Sequence, residues 1–266
     1  MADTLLVNTT VPVRKTGSLA GPPSCRVVHL EVTDSTNMEV KRRAKNGERE
    51  GLVVFAERQT DGRGRRGRRW ESPPGSLYAS ILVDVPSQRH RAAQLSFIGV
   101  LALLDALDNL LKDEAESPVF ACKWPNDVLV HGAKVSGFLL ESIPETDQIV
   151  LGLGVNIKSV SVLDALYPVT CLTKLGLSVL PEELLMLFLV AFEKRRADWV
   201  RRGFKYIRRD WLKRAYGLGQ DVSLRLPGET LTGCFEGMDA EGAILIRKDG
   251  MLRQILAGDL FFQAGN

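Results

Sequence analysis

Cysteine is scarce in this sequence of 266 residues, and its four copies at positions 25, 122, 171 and 234 form no C-x-x-C pair. This spacing suggests neither a zinc site nor a disulfide framework, and it fits a reducing cytoplasm. No stretch reaches the length that a membrane-spanning helix needs, and residues 1–24 lack the sustained apolar core of a signal peptide. We therefore expect a cytoplasmic protein without a membrane partner.

A large excess of charge is also absent, because the 35 Lys and Arg residues exceed the 32 Asp and Glu residues by only three. The basic character of the chain is therefore local, which argues against nucleic-acid binding over the whole surface. The length allows one large domain and one small domain. We predict a loosely ordered segment at residues 1–25, a large domain at 26–217 and a small domain at 218–266.

The basic residues concentrate at 61–70, where five arginines and three glycines are followed by Trp70. Predicted strands at 51–59 and 76–83 flank this stretch, so we predict a loop between two strands, hereafter the arginine loop. Glycine lets a backbone approach a ligand closely, and arginine supplies permanent charge with forked donors. Taken alone, the loop fits a small anionic ligand, a nucleic acid or a solvated surface, and the pattern does not separate these three interpretations.

Three glycines in the arginine loop, Gly62, Gly64 and Gly67, form the sequence G-x-G-x-x-G. A dinucleotide-binding fold needs a helix directly after this motif, because the helix N-terminus holds the pyrophosphate. The residues that follow include Pro73-Pro74-Gly75, which indicate a turn. We therefore do not expect a dinucleotide site.

A second informative stretch runs from Val119 to Ser142 and reads as a strand, a polar kink and a hairpin. Lys123 and Lys134 lie at its two ends, with Asp127 between them. Two ammonium groups and a carboxylate suit a phosphate and its Mg²⁺ ion. Solvated lysines with an ordinary turn aspartate are the alternative, and the residue types leave both open.

Polar residues also follow two other predicted strands. Ser35, Thr36 and Asn37 come after the strand at 26–32 and begin a helix that ends near Gly47. Capping of this helix is the interpretation that the residue types favour, and ligand contact is the alternative. Asn156 follows the apolar strand at 148–155 and is either a turn former or a ligand contact.

The remaining chain predicts helices at 89–111, 181–200 and 203–216. The first is a core helix, and the arginine pairs at 195–196, 201–202 and 208–209 are interpreted as solvated faces of the others. After residue 217, about five short strands in about fifty residues are typical of a small barrel.

Taken in order, these motifs resemble the biotin–protein ligase family. The resemblance rests on five segments: Asp34-Ser35-Thr36-Asn37, Gln59 with the arginine loop, Lys123-Trp124-Pro125-Asn126-Asp127, Lys134 with Gly137 and Glu141, and Gly152-Leu153-Gly154-Val155-Asn156. It implies an α+β catalytic domain with a mixed, mostly antiparallel sheet and helices, followed by a small SH3-like β-barrel. It also implies a two-step ligase that forms biotinyl-5′-adenylate from biotin and Mg-ATP and then transfers biotin to a lysine of an acceptor protein.

The resemblance implies roles for individual residues. Lys134, Arg65 and Lys123 would be catalytic, and Asp127 would lie near Mg²⁺. Biotin contacts would come from Ser35, Thr36, Asn37, Gln59, Gly62, Arg63, Arg65, Trp70, Lys134 and Gly137. ATP contacts would come from Arg65, Arg68, Trp70, Lys123, Asn126, Asp127 and Asn156. The arginine loop is expected to close over the labile adenylate and to order on ligand binding.

The resemblance also implies a biotin carboxyl carrier protein or domain as the acceptor, and it leaves open whether the ligase is a monomer or a homodimer. About 25 residues precede the first predicted strand of the catalytic domain, too few for the DNA-binding domain of some relatives, so we expect no sequence-specific DNA binding. A lipoate–protein ligase is the nearest rival, although Ser35, Thr36 and Gln59 suit the polar head of biotin better. A nucleic-acid-binding module is the rival from another class.

Overall fold

A computed structural model describes residues 15–17, 22, 24–85, 91–112, 118–160 and 168–262 of the chain. Most of the segment predicted at 1–25, and the beginning of the helix predicted at 89–111, lie outside the described residues. The described part contains a large mixed sheet with helices on both faces and a small antiparallel sheet at its C-terminal end.

The large sheet has eight strands. They are β1 (Lys15–Gly17), β2 (Arg26–Thr33), β3 (Leu52–Gln59), β4 (Leu77–Asp84), β5 (Phe120–Lys123), β6 (Asp127–Val130), β7 (Ala133–Ser142) and β8 (Gln148–Val155). Their order across the sheet is β1-β2-β3-β4-β8-β7-β6-β5. Only the β2–β3 pair is parallel among the described pairings, which confirms a mixed, mostly antiparallel sheet.

Helices cover both faces of this sheet. Helix α1 (Thr36–Lys45) packs on one face, where Val40 joins a small core with Leu30, Val54 and Val150. Three helices pack on the other face around the main core: α2 (Gln94–Leu111), α3 (Pro181–Arg202) and α4 (Phe204–Lys213). Strands that are buried on both faces read as continuous apolar runs, as β4 and β8 do.

Helix α2 corrects one expectation from the sequence. Its 18 residues are long and apolar enough to cross a membrane by length and composition, although 78% of them are buried inside the protein. Its carboxylates pair with two arginines that follow it in the same chain, Asp105 with Arg195 and Asp108 with Arg214. The apolar composition of α2 therefore reflects its place in the main core.

Arg195 on α3 corrects a second expectation, because it does not lie on a solvated face. Its guanidinium donates to both carboxylate oxygens of Asp105 on α2, at 2.6 and 2.7 Å, and to Asp210 on α4 at 2.8 Å. Hydrogen bonding to Asp105 raises the pKa of this guanidinium. Arg195 thus connects the three helices that cover the main core.

The C-terminal sheet has five short antiparallel strands. They are β9 (Asp221–Arg225), β10 (Thr230–Met238), β11 (Ile244–Lys248), β12 (Met251–Ile255) and β13 (Asp259–Phe262), in the order β12-β11-β10-β9-β13. This confirms the small β unit, and the described pairings form an open sheet without a β12–β13 pair. Its core continues into the main core, and Trp124 Nε1 donates to the Gly242 carbonyl at 3.0 Å. The domain boundary at 217/218 stays a prediction.

One edge of the large sheet is already covered. The Cys122 amide on β5 donates to the Arg214 carbonyl at 2.7 Å, and the Tyr216 amide donates to the Cys122 carbonyl at 2.8 Å. The backbone of β5 is therefore not available for pairing with a second subunit at this point.

Candidate active site

The arginine loop is a short hairpin. The Trp70 amide donates to the Gly62 carbonyl at 2.9 Å, the Gly64 amide donates to the Arg68 carbonyl at 2.7 Å, and residues 63 and 69 form an antiparallel bridge. At its tip, Arg66 and Gly67 have φ angles of 56° and 72°. Two successive positive φ values are typical of the tight turns that match the twist of a hairpin. The sequence predicted a loop between strands but not this hairpin. Gly67, which has a positive φ angle at the tip, was the residue that could have indicated the turn.

Gly62 is required at the base of the hairpin for a steric reason. A Cβ atom at this position would lie 2.2 Å from the Trp70 carbonyl oxygen, which is backbone and cannot move aside. The absence of a side chain at Gly62 therefore lets the two ends of the loop approach each other, and this approach sets the position of Trp70. No helix follows the loop, as expected, and the next regular element is β4.

A pocket lies beneath the hairpin, between α1 and strands β7 and β8. Its empty volume of about 450 Å³ includes space that is open to solvent. It is lined by Ser35, Thr36, Asn37, Gln59, Arg63, Gly64, Trp70, Lys134, Gly137, Phe138, Leu139, Gly152, Leu153 and Gly154. Eight of the ten positions that the resemblance assigned to biotin belong to this lining, and Gly62 and Arg65 do not.

The start of α1 points polar groups into this pocket. Ser35 is the N-cap residue, but its side chain makes no capping hydrogen bond, so the capping interpretation is wrong for this residue. Gln59 Oε1 on β3 instead accepts from the amide of Thr36 at 2.8 Å and from its hydroxyl at 3.1 Å. Gln59 Nε2 donates to the Ser72 hydroxyl at 2.9 Å. The helix start is therefore fixed from β3, and the Ser35 hydroxyl is left at the pocket.

A buried network orients Asn37 at the end of the pocket. Its Oδ1 accepts from Ser80 Oγ on β4 at 2.6 Å, and its Nδ2 donates to Glu141 Oε2 on β7 at 2.7 Å. Glu141 also pairs with Lys41 at 2.6 Å. Burial raises the pKa of Glu141, but hydrogen bonds from Lys41 and Asn37 outweigh it, and the net pKa is lowered. Glu141 is therefore held as a carboxylate.

Glycines on β7 and β8 form the floor of the pocket. A Cβ atom at Gly154 would lie 2.6 Å from the indole ring of Trp70, and one at Gly152 would lie 2.3 Å from Asn37 Oδ1. A Cβ atom at Gly137 would lie 2.9 Å from Lys134 Nζ. Glycine in a strand interior marks a close approach of other groups, and here these groups are functional side chains.

Beside the pocket, the two lysines of the second stretch meet Asp127. Lys134 Nζ lies 2.7 Å from Asp127 Oδ1, and Lys123 Nζ lies 3.5 Å from Oδ2. The pairing register of the strands explains why these side chains lie close together. Lys123 and Asp127 are partners across β5 and β6, and Asp127 is opposite Gly137 on β7. Lys123 and Asp127 are buried, with exposed side-chain fractions of 4% and 5%, and Lys134 is partly buried, with 15%. The interpretation of solvated surface lysines is therefore wrong.

Burial sets the protonation of this cluster. Desolvation lowers the pKa of Lys123 to about 8, although Asp127 acts in the opposite direction. For Asp127, burial raises the pKa, but the charges of Lys134 and Lys123 outweigh it and the net pKa is lowered. The site therefore combines a permanent carboxylate with two ammonium groups, one of which titrates near neutral pH.

Arg65 reaches the same cluster from the hairpin. Its Nη1 donates to Asn126 Oδ1 at 3.2 Å and to the Gly258 carbonyl at 3.4 Å, and burial lowers its pKa. Asn126 Nδ2 donates to the Phe138 carbonyl, so this amide holds Arg65 against β7. Arg68 lies farther out, against Asp259 at 3.0 Å. Asn156 donates to the Thr170 carbonyl at 3.1 Å at the end of β8.

The residues around Asp127 do not fit a magnesium ion held by the protein. Both carboxylate oxygens face lysine ammonium groups. Within the described residues, no three His, Cys, Asp or Glu side chains are grouped so that they could hold a metal. Magnesium is commonly bound through one or two carboxylates together with substrate phosphates, and here the nearby charges are cationic. The predicted magnesium role of Asp127 has no support in this geometry.

Sequence reasoning missed three polar residues that the fold brings to the site: Ser80, Ser72 and Asp259. Ser80 is fully buried inside the apolar strand β4, and a lone serine in such a run was the available signal. Asp259 had no local signal, because it reaches the arginine loop from the C-terminal sheet.

Comparison with known proteins shows which family the chain belongs to. The profile of the Biotin/lipoate A/B protein ligase family matches residues 29–156, and that of the Biotin protein ligase C terminal domain matches residues 217–263. The chain is 38% identical over 241 residues to the biotin–[acetyl-CoA-carboxylase] ligase of Paracoccus denitrificans, covering 88% of this chain and 99% of that protein. The chain belongs to the biotin protein ligase family. This confirms the resemblance inferred from the motifs.

Other relatives of this ligase family agree in sequence and fold. The bifunctional ligase/repressor of Bacillus subtilis is 30% identical over 244 residues, which cover 88% of this chain and 73% of that protein. The structure of the Aquifex aeolicus biotin protein ligase in complex with biotin and ATP is similar with a TM-score of 0.75 and 28% identity, over 88% of this chain and 97% of that one. The mixed sheet followed by a small antiparallel sheet is therefore the fold of a biotin protein ligase.

Proposed function

We propose that this chain is an ATP-dependent biotin–protein ligase that works in two steps through biotinyl-5′-adenylate. One observation carries the proposal: the pocket that is lined by Ser35, Thr36, Asn37 and Gln59 is also lined by Lys134, which lies beside Asp127 and Lys123. Arg65 reaches the same cluster through Asn126. A ligand with a polar head and an anionic tail suits this combination of polar and cationic groups. A nucleotide phosphate beside the tail also suits the cationic groups. The named activity of the relatives supports the same reaction.

In the first step, a carboxylate oxygen of biotin attacks the α-phosphorus of ATP, and the bond to the β-phosphate breaks to release pyrophosphate. Both reactants are anions, so the step depends on positive charge that is already in position. Lys134 lines the pocket and lies beside Asp127, where it contacts the forming phosphate–carboxylate anhydride. Lys123 and Arg65 hold the phosphates, and ATP brings Mg²⁺ on its own phosphates. The protein supplies no nucleophile.

We infer that the polar head of biotin lies at the start of α1. Ser35, Thr36, Asn37 and Gln59 provide hydroxyl and amide groups, and the glycines of β7 and β8 allow close approach. Trp70 covers the ligand with its indole ring, and Arg63, with the backbone at Gly62, closes the outer side. Asn126 and Asn156 lie toward the nucleotide.

In the second step, the amine of an acceptor lysine attacks the acyl carbon of the adenylate, the bond to the AMP oxygen breaks, and the amine loses a proton. We propose that the acceptor is the biotin carrier domain of a carboxylase. The protein works in the cytoplasm, where its four cysteines stay as free thiols. It acts as a monomer or a homodimer.

Pyrophosphate release tests the proposal. The protein is mixed with Mg-ATP and either biotin or lipoate, without an acceptor. Biotin should give a burst of about one equivalent followed by slow turnover, because the adenylate stays bound. A burst with lipoate and none with biotin would identify a lipoate ligase, and the absence of both would refute adenylation. Transfer of labelled biotin to a carrier domain, and to the same domain with its target lysine replaced, then tests the second step.

A further inference from the structure

The arginine loop contacts the C-terminal sheet at one carboxylate. Arg66 Nη1 lies 3.1 Å from Asp259 Oδ2, and Arg68 Nη2 lies 3.0 Å from Oδ1. These pairs join residues that are 193 and 191 positions apart in the chain. The neighbouring Gly258 carbonyl accepts from Arg65 Nη1 at 3.4 Å. Three arginines of the hairpin therefore face the start of β13.

Asp259 is the buried partner in this contact. The Asp259 side chain is only 8% exposed, whereas those of Arg66 and Arg68 are 36% and 32% exposed. A carboxylate removed from water needs charged or hydrogen-bonding partners for both oxygens, and here the two guanidiniums occupy one oxygen each. The loss of either partner therefore leaves a buried oxygen poorly satisfied.

The same contact distinguishes Arg66 and Arg68 from Arg65. Arg66 and Arg68 each form an ion pair with the Asp259 carboxylate. Within the part of the chain that the structure describes, Arg65 donates to neutral acceptors, namely Asn126 Oδ1 and the Gly258 carbonyl. Arg68 Nε also donates to the Arg65 carbonyl at 3.2 Å, which connects the anchored arginine to the backbone of Arg65. Arg65 is thus the inner arginine whose charge is left for an anionic ligand.

We propose that Asp259 of the C-terminal sheet is a positioning residue of the active site: it anchors the arginine hairpin through Arg66 and Arg68, and it thereby directs Arg65 to the phosphate of the bound adenylate. This inference rests on the proposed ligase function. It makes the C-terminal sheet part of the adenylate site, although Asp259 does not itself contact the ligand.

The test compares Asp259→Asn with Glu236→Gln in the full-length chain. Glu236 is a matched control because it also pairs with an arginine, Arg247, but within the C-terminal sheet and away from the hairpin. The dissociation rate of preformed biotinyl-adenylate should rise by at least about tenfold in Asp259→Asn, since a buried pair is broken, and should stay at the wild-type value in Glu236→Gln. The KM for ATP should rise in Asp259→Asn more than kcat falls. Trypsin should also cleave the arginine loop faster.

A second variant separates positioning from a general effect on folding. Arg66→Met removes one partner on the exposed hairpin and leaves the C-terminal sheet intact. It should also speed adenylate release, and the double variant Asp259→Asn/Arg66→Met should release adenylate more slowly than the product of the two single effects predicts. An unchanged release rate in Arg66→Met would overturn the proposal, and so would strict additivity. Absence of a biotin-dependent pyrophosphate burst in the wild-type protein would refute the ligase function instead.

Discussion

Lys134 Nζ lies 2.7 Å from Asp127 Oδ1, and this pair lies where the pocket meets the cationic groups that we propose to bind phosphate. Asp127 is almost completely buried and retains its negative charge because two lysines face it. The carboxylate therefore holds Lys134 in place without a ligand having to order it. Preformed charge of this kind is the main means by which a site stabilises a transition state without reorganisation.

Replacing Lys134 with Ala should slow biotin-dependent pyrophosphate release by about 100-fold or more, because a charge beside the reacting phosphate is lost. Lys174→Ala, at an exposed position, is the control and should react at the wild-type rate. Circular dichroism and thermal melting establish that both variants are folded. Normal pyrophosphate release from a folded Lys134→Ala variant would refute this role.

The lowered pKa of Lys123 predicts that kcat/KM for ATP and the stability of the protein depend on pH. Burial lowers its pKa in the folded protein to about 8, below the value of 10.5 for an exposed lysine. The ammonium form, which we propose binds phosphate, is therefore lost as the pH rises through 8, and kcat/KM for ATP should fall by up to about tenfold per pH unit above that value. Stability should move the other way, because between pH 8 and 10.5 the unfolded chain binds more protons and a rise in pH favours folding.

Lys123→Met provides the matched variant for the pH experiment. Its kcat/KM for ATP should be low at all pH values, without the decrease above pH 8. It should also be at least as stable as the wild type at pH 7, since it removes a buried charge while Lys134 still neutralises Asp127. A wild-type profile that is flat between pH 7 and 9.5 would contradict the assignment.

Replacing Arg65 with Gly should release the adenylate faster by about tenfold or more, because the inner arginine of the hairpin is removed. The measurement is the dissociation rate of preformed labelled adenylate. Arg69→Ala, an exposed position of the same hairpin, is the comparison variant and should retain the adenylate. Equal dissociation rates for wild type and Arg65→Gly would count against Arg65 as the ligand-binding arginine.

Replacing Gly154 with Ala should displace the indole ring of Trp70, since the new Cβ atom would lie 2.6 Å from it. We expect biotin binding to weaken by about tenfold, which corresponds to about 1.4 kcal/mol. Isothermal titration with biotin provides the measurement. In a Trp70→Ala background the same substitution should have little further effect, and a full additional loss there would mean that Gly154 acts independently of Trp70.

Replacing Glu141 with Gln should weaken biotin binding by about threefold to tenfold, because Asn37 loses the charged acceptor that fixes its amide. Lys41→Met breaks the ion pair of Glu141 but keeps the bond to Asn37, so it should have the smaller effect. Isothermal titration with biotin measures both. A larger loss in Lys41→Met would show that the ion pair, and not the amide, is what matters.

Much of the fold could be predicted because its signals are local. The apolar runs of β4 and β8 and the hairpin of β6 and β7 are all readable over a few residues. The features that the sequence did not predict depend on contacts with residues far away in the chain. Arg195 looked like a surface residue until Asp105 and Asp210 were brought to it from other helices. The apolar helix α2 needed its place in the core to be distinguished from a membrane span.

By itself, the sequence determined the family and the chemistry available to it, because the motifs occur in a fixed order and carry glycines, arginines and lysines at set spacings. How those groups are used depends on the way the whole chain packs. Burial, which depends on the whole fold, lowers the pKa of Lys123 and keeps Asp127 charged. The contacts of Ser80 with Asn37 and of Asp259 with Arg66 join residues 43 and 193 positions apart. No local pattern specifies such contacts, since they arise from the packing of separate elements against each other.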